Sequence, residues 1–348
     1  MFQGLKAPLL SIVLALLALT AFAETPDASA GASGEAKPNA DPPDYAEQAK
    51  ERVYSEIAPL DEAGFTRMPK PKAGEWLSIH KEPPQTLEKY KLAKRIRPTP
   101  DRKTIVLQPL SRDGEIHPDF KTTLTKLRDY AEVYFQLPVR IAEPLKLKLA
   151  DECKELFRIV PVGNRHGSYD RQFSGDLIMD ELLVKKLPVD AMVYLGVTME
   201  DIWTEQSAWV FGLGSFAKRV GVISVARFIP EFWGQPRKDG DDVIALRRAC
   251  RVMTHETGHM LGLSHCIFYL CEMNGAYSLA EADRTPMHEC ALCHRKLLWN
   301  IGFEPAKRFE ALKTFFEQNK LTPEADWMNA RLKNWKRLEE NAAAPKDE

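Results

Sequence analysis

Residues 104–305 read as strands and helices in alternation, and that order predicts an α/β (α+β) domain built on a twisted mixed sheet layered with helices. Three observations carry the prediction. Residues 104–110 (Thr-Ile-Val-Leu-Gln-Pro-Leu) form a short β-branched apolar run of strand character. Phe120, Leu124, Leu127 and the Tyr130–Ala131 pair then recur at helical spacing. The pattern returns to a strand at 137–141, a helix near 174–185 and a strand at 191–197. Farther on, 209–212 and 220–225 read as two strands joined through Gly214, a helical pattern fills 241–260, and the chain from Glu304 is helical and charged. No internal repeat interrupts this order.

The flanks differ from this domain. Lys6 precedes an apolar run at 9–22 that closes on Ala21-Phe22-Ala23, the layout of a cleavable secretory leader spanning 1–23. The run is shorter than the ~18–20 apolar residues needed to span a bilayer, so no stable membrane anchor is expected after cleavage near Ala23. The expected destination is the periplasm or the exterior. Residues 24–47 are rich in Ala, Pro, Ser, Gly and charge, a composition unable to offset its ordering entropy, and read as a disordered linker. Residues 48–103, with Trp76, Leu77, Ile79 and Tyr90, read as an arm packing on the domain at 104–305, and 306–348 as a helical tail. The basic run at 89–97 could bind an anion or polyanion, but reads first as a solvated face. Across 348 residues, 48 Lys+Arg against 49 Asp+Glu give a net charge of -1, which argues against nucleic acid as a partner.

The chemistry is concentrated between His255 and Cys293. His255 and His259 are four residues apart, so on a helix both imidazoles project from one face and can share a tetrahedral metal. Glu256 lies beside them without being a ligand, which suits it to take a proton from a water on the metal. Gly262 stands where a helix can stop in the left-handed conformation, and past that turn His265 can swing back as a third nitrogen ligand. Cys266, Cys271, Cys290 and Cys293 follow as two pairs separated by a loop. Such pairs can close a tetrahedral thiolate zinc site; in an oxidising compartment they could instead form two disulfides, joined by a Cys153–Cys250 pair. The short spacing of Cys290 and Cys293 favours zinc, with Cys153 and Cys250 as buried thiols.

The three-histidine helix followed by Met273 resembles the metzincin metallopeptidases, and the interleaved cysteines resemble the archaemetzincin branch. The resemblance covers roughly residues 76–303. It implies a metzincin-like mixed sheet, a zinc-binding active-site helix and a C-terminal four-cysteine zinc subdomain. It implies His255, His259 and His265 as ligands of a catalytic Zn2+, Glu256 as general base and Met273 as the methionine of the turn beneath the metal. It also implies a second, structural zinc on Cys266, Cys271, Cys290 and Cys293. The expected partner is a peptide or protein substrate laid along an edge strand, with the hairpin at 209–225 as candidate. Some metzincins carry a tyrosine two residues after the turn methionine; here that position is Gly275, and Tyr277 is not given the role. Two other functions fit the same residues: a zinc hydrolase acting on a non-protein amide such as a cell-wall peptide, and a silent module braced by metal.

Overall fold

The computed structural model describes residues 53, 64–93, 95–148, 156–161 and 169–343, with side chains to 337. The leader at 1–23, the linker at 24–47 and Cys153 lie outside the described residues. Among those described, no helix is long and apolar enough to cross a membrane.

A short helix α1 (Leu87–Leu92), capped by the Thr86 side chain, precedes the main sheet. Strand β1 (Thr104–Ser111) leads into α2 (Pro118–Phe135), which begins on a proline and ends at Gln136 in the left-handed region. Beside β1 run β2 (Val139–Ile141) and β3 (Leu145–Lys146). Next come β4 (Phe157–Ile159), β5 (Arg171–Ser174), and a helical segment over 175–186 with a π turn at its centre. Strands β6 (Ala191–Thr198), β7 (Asp201–Thr204), β8 (Ser207–Val210), β9 (Gly212–Ser215) and β10 (Val220–Ser224) follow. The helices that follow are α3 (Asp241–Met260), α4 (Leu279–Arg284), α5 (Ala291–Ile301), α6 (Pro305–Gln318) and α7 (Thr322–Ala343), with an irregular loop at 261–278 between the first two.

The main sheet has the order β2-β1-β6-β10-β9, with β3 also on β1. Its pairs are parallel except β9 on β10, which is antiparallel and leaves β9 at the edge. Every residue of β6 is buried, as expected of a parallel strand covered on both faces. Alternation along β1 and β6 divides the core. Ile105, Leu107, Val193 and Leu195 join the cluster that includes α2 and α3 residues such as Leu124 and Met253. Val106, Leu110 and Tyr194 join Ile178, Leu182 and Leu183 on the other face.

One expected strand divides differently. Trp209 and Val210 belong to β8, which pairs with β7 in a second sheet of order β4-β5-β7-β8. The hairpin partner of β10 is β9, and Gly214 lies inside that strand opposite Gly221. The turn falls at 216–219, where Arg219 adopts a positive φ of 60°. A continuous apolar run, Trp209-Val210-Phe211, hides this change of sheet because a run of that kind carries no marker of which neighbour it pairs with.

Candidate metal and active site

Helix α3 starts at Gly240 and carries Asp241 and Asp242 in its first turn, where carboxylates meet the positive end of the helix dipole. Its last three turns are almost wholly buried, and they pack against β9 and β10. The helix stops at Gly262, whose φ of 86° allows the chain to reverse toward His265.

The donor atoms of His255, His259 and His265 lie within 4.8 Å of one another. Each ring is held by its other nitrogen. His255 Nδ1 donates to the Glu272 carbonyl at 2.9 Å, and His259 Nδ1 donates to the Leu263 carbonyl at 2.8 Å. His265 Nδ1 lies 2.7 Å from the Glu82 carboxylate. A carbonyl can only accept, so His255 and His259 are both Nδ1–H tautomers with bare Nε2 lone pairs. Those two Nε2 atoms stand 3.0 Å apart. Burial pushes His255 well below the usual imidazole range and His259 to about 3, with the neighbouring imidazoles adding to the fall. Two unprotonated lone pairs that close repel unless a cation lies between them. Zinc–nitrogen bonds of about 2.0–2.1 Å in tetrahedral array need nitrogens near 3.3 Å apart, so the residues present fit zinc.

Glu256 is buried against the edge strand. A Cβ placed on Gly212 would lie 2.8 Å from Glu256 Cγ, and one on Gly214 would lie 2.7 Å from the Glu256 carbonyl. Both glycines therefore leave space that the helix and its carboxylate occupy. Burial pushes Glu256 up to about 8, with Arg251 drawing it the other way. A dication on the adjacent imidazoles would pull it down further. Met273 packs beneath: a Cβ on Gly258 would lie 2.5 Å from its sulfur, which explains a glycine in the interior of α3. Tyr277 is 54% exposed.

Cys266, Cys271, Cys290 and Cys293 bring their sulfurs within 4.8 Å of one another, all buried and all free thiols. Cys266 and Cys290 sulfurs are 3.7 Å apart, close to the ~3.8 Å implied by zinc–sulfur bonds of about 2.3 Å. Hydrogen bonds from the other three thiols push Cys266 down, whereas burial pushes Cys271 and Cys290 well above the usual thiol range. A metal would remove that competition for a single charge. Cys250 is a separate buried thiol.

Several supporting residues carry no sequence signature. Asn274 ties the cysteine loop together: its amide donates to the Cys266 and Tyr269 carbonyls at 2.7 and 3.0 Å and accepts from Cys271 N–H at 2.7 Å. Arg308 of α6, fully buried, pairs with Glu289 at 2.7 Å, immediately before Cys290. Tyr134 donates to Glu289 at 2.9 Å and also reaches Glu272, whose carbonyl holds His255. Burial would raise Glu289, but Arg308 and His294 outweigh it and hold that carboxyl well below its usual range.

A sheet-backed helix presenting three convergent imidazoles, with a carboxylate beside them, defines a metal-dependent hydrolase site. The model of Peptidase family M54 matches residues 172–298. Archaemetzincin-2 of Macaca fascicularis is 31% identical over 263 residues, which span 68% of this chain and 71% of that protein. The archaemetzincin of Thermococcus kodakarensis is 33% identical over 133 residues, 38% of this chain and 70% of its own length. A solved archaemetzincin from Methanopyrus kandleri superposes with a TM-score of 0.42 at 25% identity, over 58% of this chain and 97% of that one. The chain belongs to the archaemetzincins, peptidase family M54, and is a zinc metallopeptidase.

Proposed function

We propose that the chain hydrolyses peptide bonds at a single zinc held by Nε2 of His255, His259 and His265, with Glu256 as general base. The observation that carries this reading is the 3.0 Å approach of two Nε2 atoms whose Nδ1 partners are carbonyls. Zinc bound there supplies Lewis-acid polarisation of the scissile carbonyl and acidifies a water at neutral pH. The side chains do the rest. Glu256, one residue along the helix from His255, takes the proton from the attacking water and returns it to the departing amine. Glycines at 212 and 214 let β9 lie against this carboxylate. The edge of β9, which pairs with no further strand among the described residues, offers backbone donors and acceptors to an extended substrate, placing a carbonyl near Glu256. Met273, packed on Gly258, supports the floor beneath the imidazoles. Four buried cysteine sulfurs hold a second zinc with no open position, a structural role. The leader-like 1–23 supports export.

The test compares zinc-loaded protein with Glu256→Ala on a quenched peptide library, with metal content measured on both. Zinc should stay at the parent level while turnover falls by about 10²–10⁴-fold. Equal turnover in the variant removes Glu256 from the mechanism; cleavage of cell-wall amides but no peptide replaces the substrate class.

A further inference from the structure

Two of the three imidazoles take their Nδ1 partners from within residues 255–272: the Glu272 and Leu263 carbonyls. His265 does not. Its Nδ1 meets Glu82, 183 residues earlier, on the segment that precedes the main sheet. That same carboxylate oxygen accepts from Trp76 Nε1 at 2.8 Å, and the Trp76 ring stands edge-on to His265 at 4.9 Å between centroids. Three residues on, Gln85 grips the turn that delivers His265: its amide donates to the Gly262 carbonyl at 3.0 Å and accepts from Ser264 N–H at 3.1 Å. Tyr90 completes the hold by donating to the Leu261 carbonyl at 2.8 Å. The Arg95 side chain lies over Gly262 so closely that a Cβ there would meet it at 2.5 Å. This segment falls outside residues 172–298, the stretch that the family model matches.

We propose that Glu82 is the positioning residue for the third metal ligand. It fixes His265 as the Nδ1–H tautomer and aims Nε2 at the other two imidazoles, while Gln85 fixes the turn. The physical reason lies in the chain's own geometry. His255 and His259 sit on a rigid helix, one turn apart, and need only a local carbonyl to lock their rings. His265 lies beyond the helix end, on a reversal with no regular structure of its own. Its ring can rotate unless something outside the turn restrains it. A partner on the other ring nitrogen fixes the tautomer and orientation of a metal-ligating imidazole, and here that partner is a carboxylate from outside the turn. The N-terminal segment is thus part of the metal site. The inference rests on the three-imidazole reading above.

The experiment uses the full chain. Zinc affinity of the imidazole site is measured by chelator competition for the parent, Glu82→Ala and Glu82→Gln. Long-range ¹H–¹⁵N spectra of the zinc-free proteins report the His265 tautomer. Glu82→Ala should weaken zinc binding by about 10–100-fold and shift His265 away from the Nδ1–H form. Glu82→Gln keeps an acceptor without the charge, so it should bind more tightly than the alanine variant and more weakly than the parent. Both variants within twofold of the parent, with an unchanged tautomer, overturn the proposal while leaving the three-imidazole reading intact. If Glu82→Ala does not fold, Glu82→Gln decides alone: a loss greater than twofold sustains the role, a smaller one ends it. A parent that holds no zinc on its imidazoles sinks the reading beneath and this proposal with it.

Discussion

The two ligand clusters stand within one stretch of chain, 255–293, yet they are built to opposite specifications. The cysteine sulfurs are sealed: Cys271, Cys290 and Cys293 are 0% exposed, and Asn274 closes their loop from inside. The imidazoles are less closed: His255 is covered, whereas His259 and His265 remain half-buried. A sealed tetrahedral site with four protein donors contributes to folding, and one with three donors and an open side can bind a substrate. The supporting groups overlap in part. Around the cysteines Arg308 of α6 pairs with Glu289, and the loop at 268–270 also takes backbone bonds from the N-terminal segment, with Leu270 N–H donating to the Thr66 carbonyl at 2.8 Å and Met68 N–H to the Phe268 carbonyl at 2.9 Å. The third imidazole is held from the N-terminal side by Glu82.

The comparison breaks first at the cysteines. If the cysteines hold the proposed structural zinc, Cys290→Ser should cost more than about 4 kcal/mol of stability, because a lost thiolate opens the sealed site and forfeits the folding energy that the metal would supply. Thermal unfolding checks this, and a Tm within about 2 °C of the parent would mean that the cluster does not brace the fold. Arg308→Ala comes next. It strands the Glu289 carboxylate, 2% exposed, with one fewer cation, and should cost about 3–5 kcal/mol in denaturant unfolding. Pairing Arg308→Met with Glu289→Gln should recover most of that loss. If the double variant is no better than the single one, buried charge is not the reason for the cost.

The parts of the site legible from sequence are those with a short period. His255 and His259 share a helix face by spacing alone, and Gly262 followed by His265 implies a reversal. The buried strands at 104–111 and 191–198 are legible because their apolar runs are bounded by turns and helices. What sequence does not carry is partnership across distance. Glu82 and Gln85 sit in a Pro-punctuated polar stretch, and nothing nearby distinguishes them from solvated side chains until the fold brings His265 and Gly262 beside them. The basic run at 89–97 misleads for the same reason. Arg97 stacks on Trp299 and donates to its carbonyl at 2.7 Å, so a run expected to face solvent is partly packing. The second sheet is also hidden, since β7 and β8 are four residues each and pair with β5 only after the chain has folded.

Gly258 gives the smallest effect and the finest test of how the imidazole site is supported. A glycine inside a helix costs about 1 kcal/mol relative to alanine, so Gly258→Ala should stabilise α3 if nothing opposes it. Met273 opposes it, with its sulfur 2.5 Å from where the new Cβ would stand. Overpacking of this kind costs about 1–3 kcal/mol, which leaves a net loss near 1 kcal/mol. Replacing Met273 with Ala in the same chain removes the clash, and Gly258→Ala should then stabilise. The two substitutions therefore couple, and a double-mutant cycle in denaturant reads the coupling directly. Additive changes would show that the flexible thioether swings aside at no cost, and that the glycine between the two histidines answers to something other than the methionine beneath them.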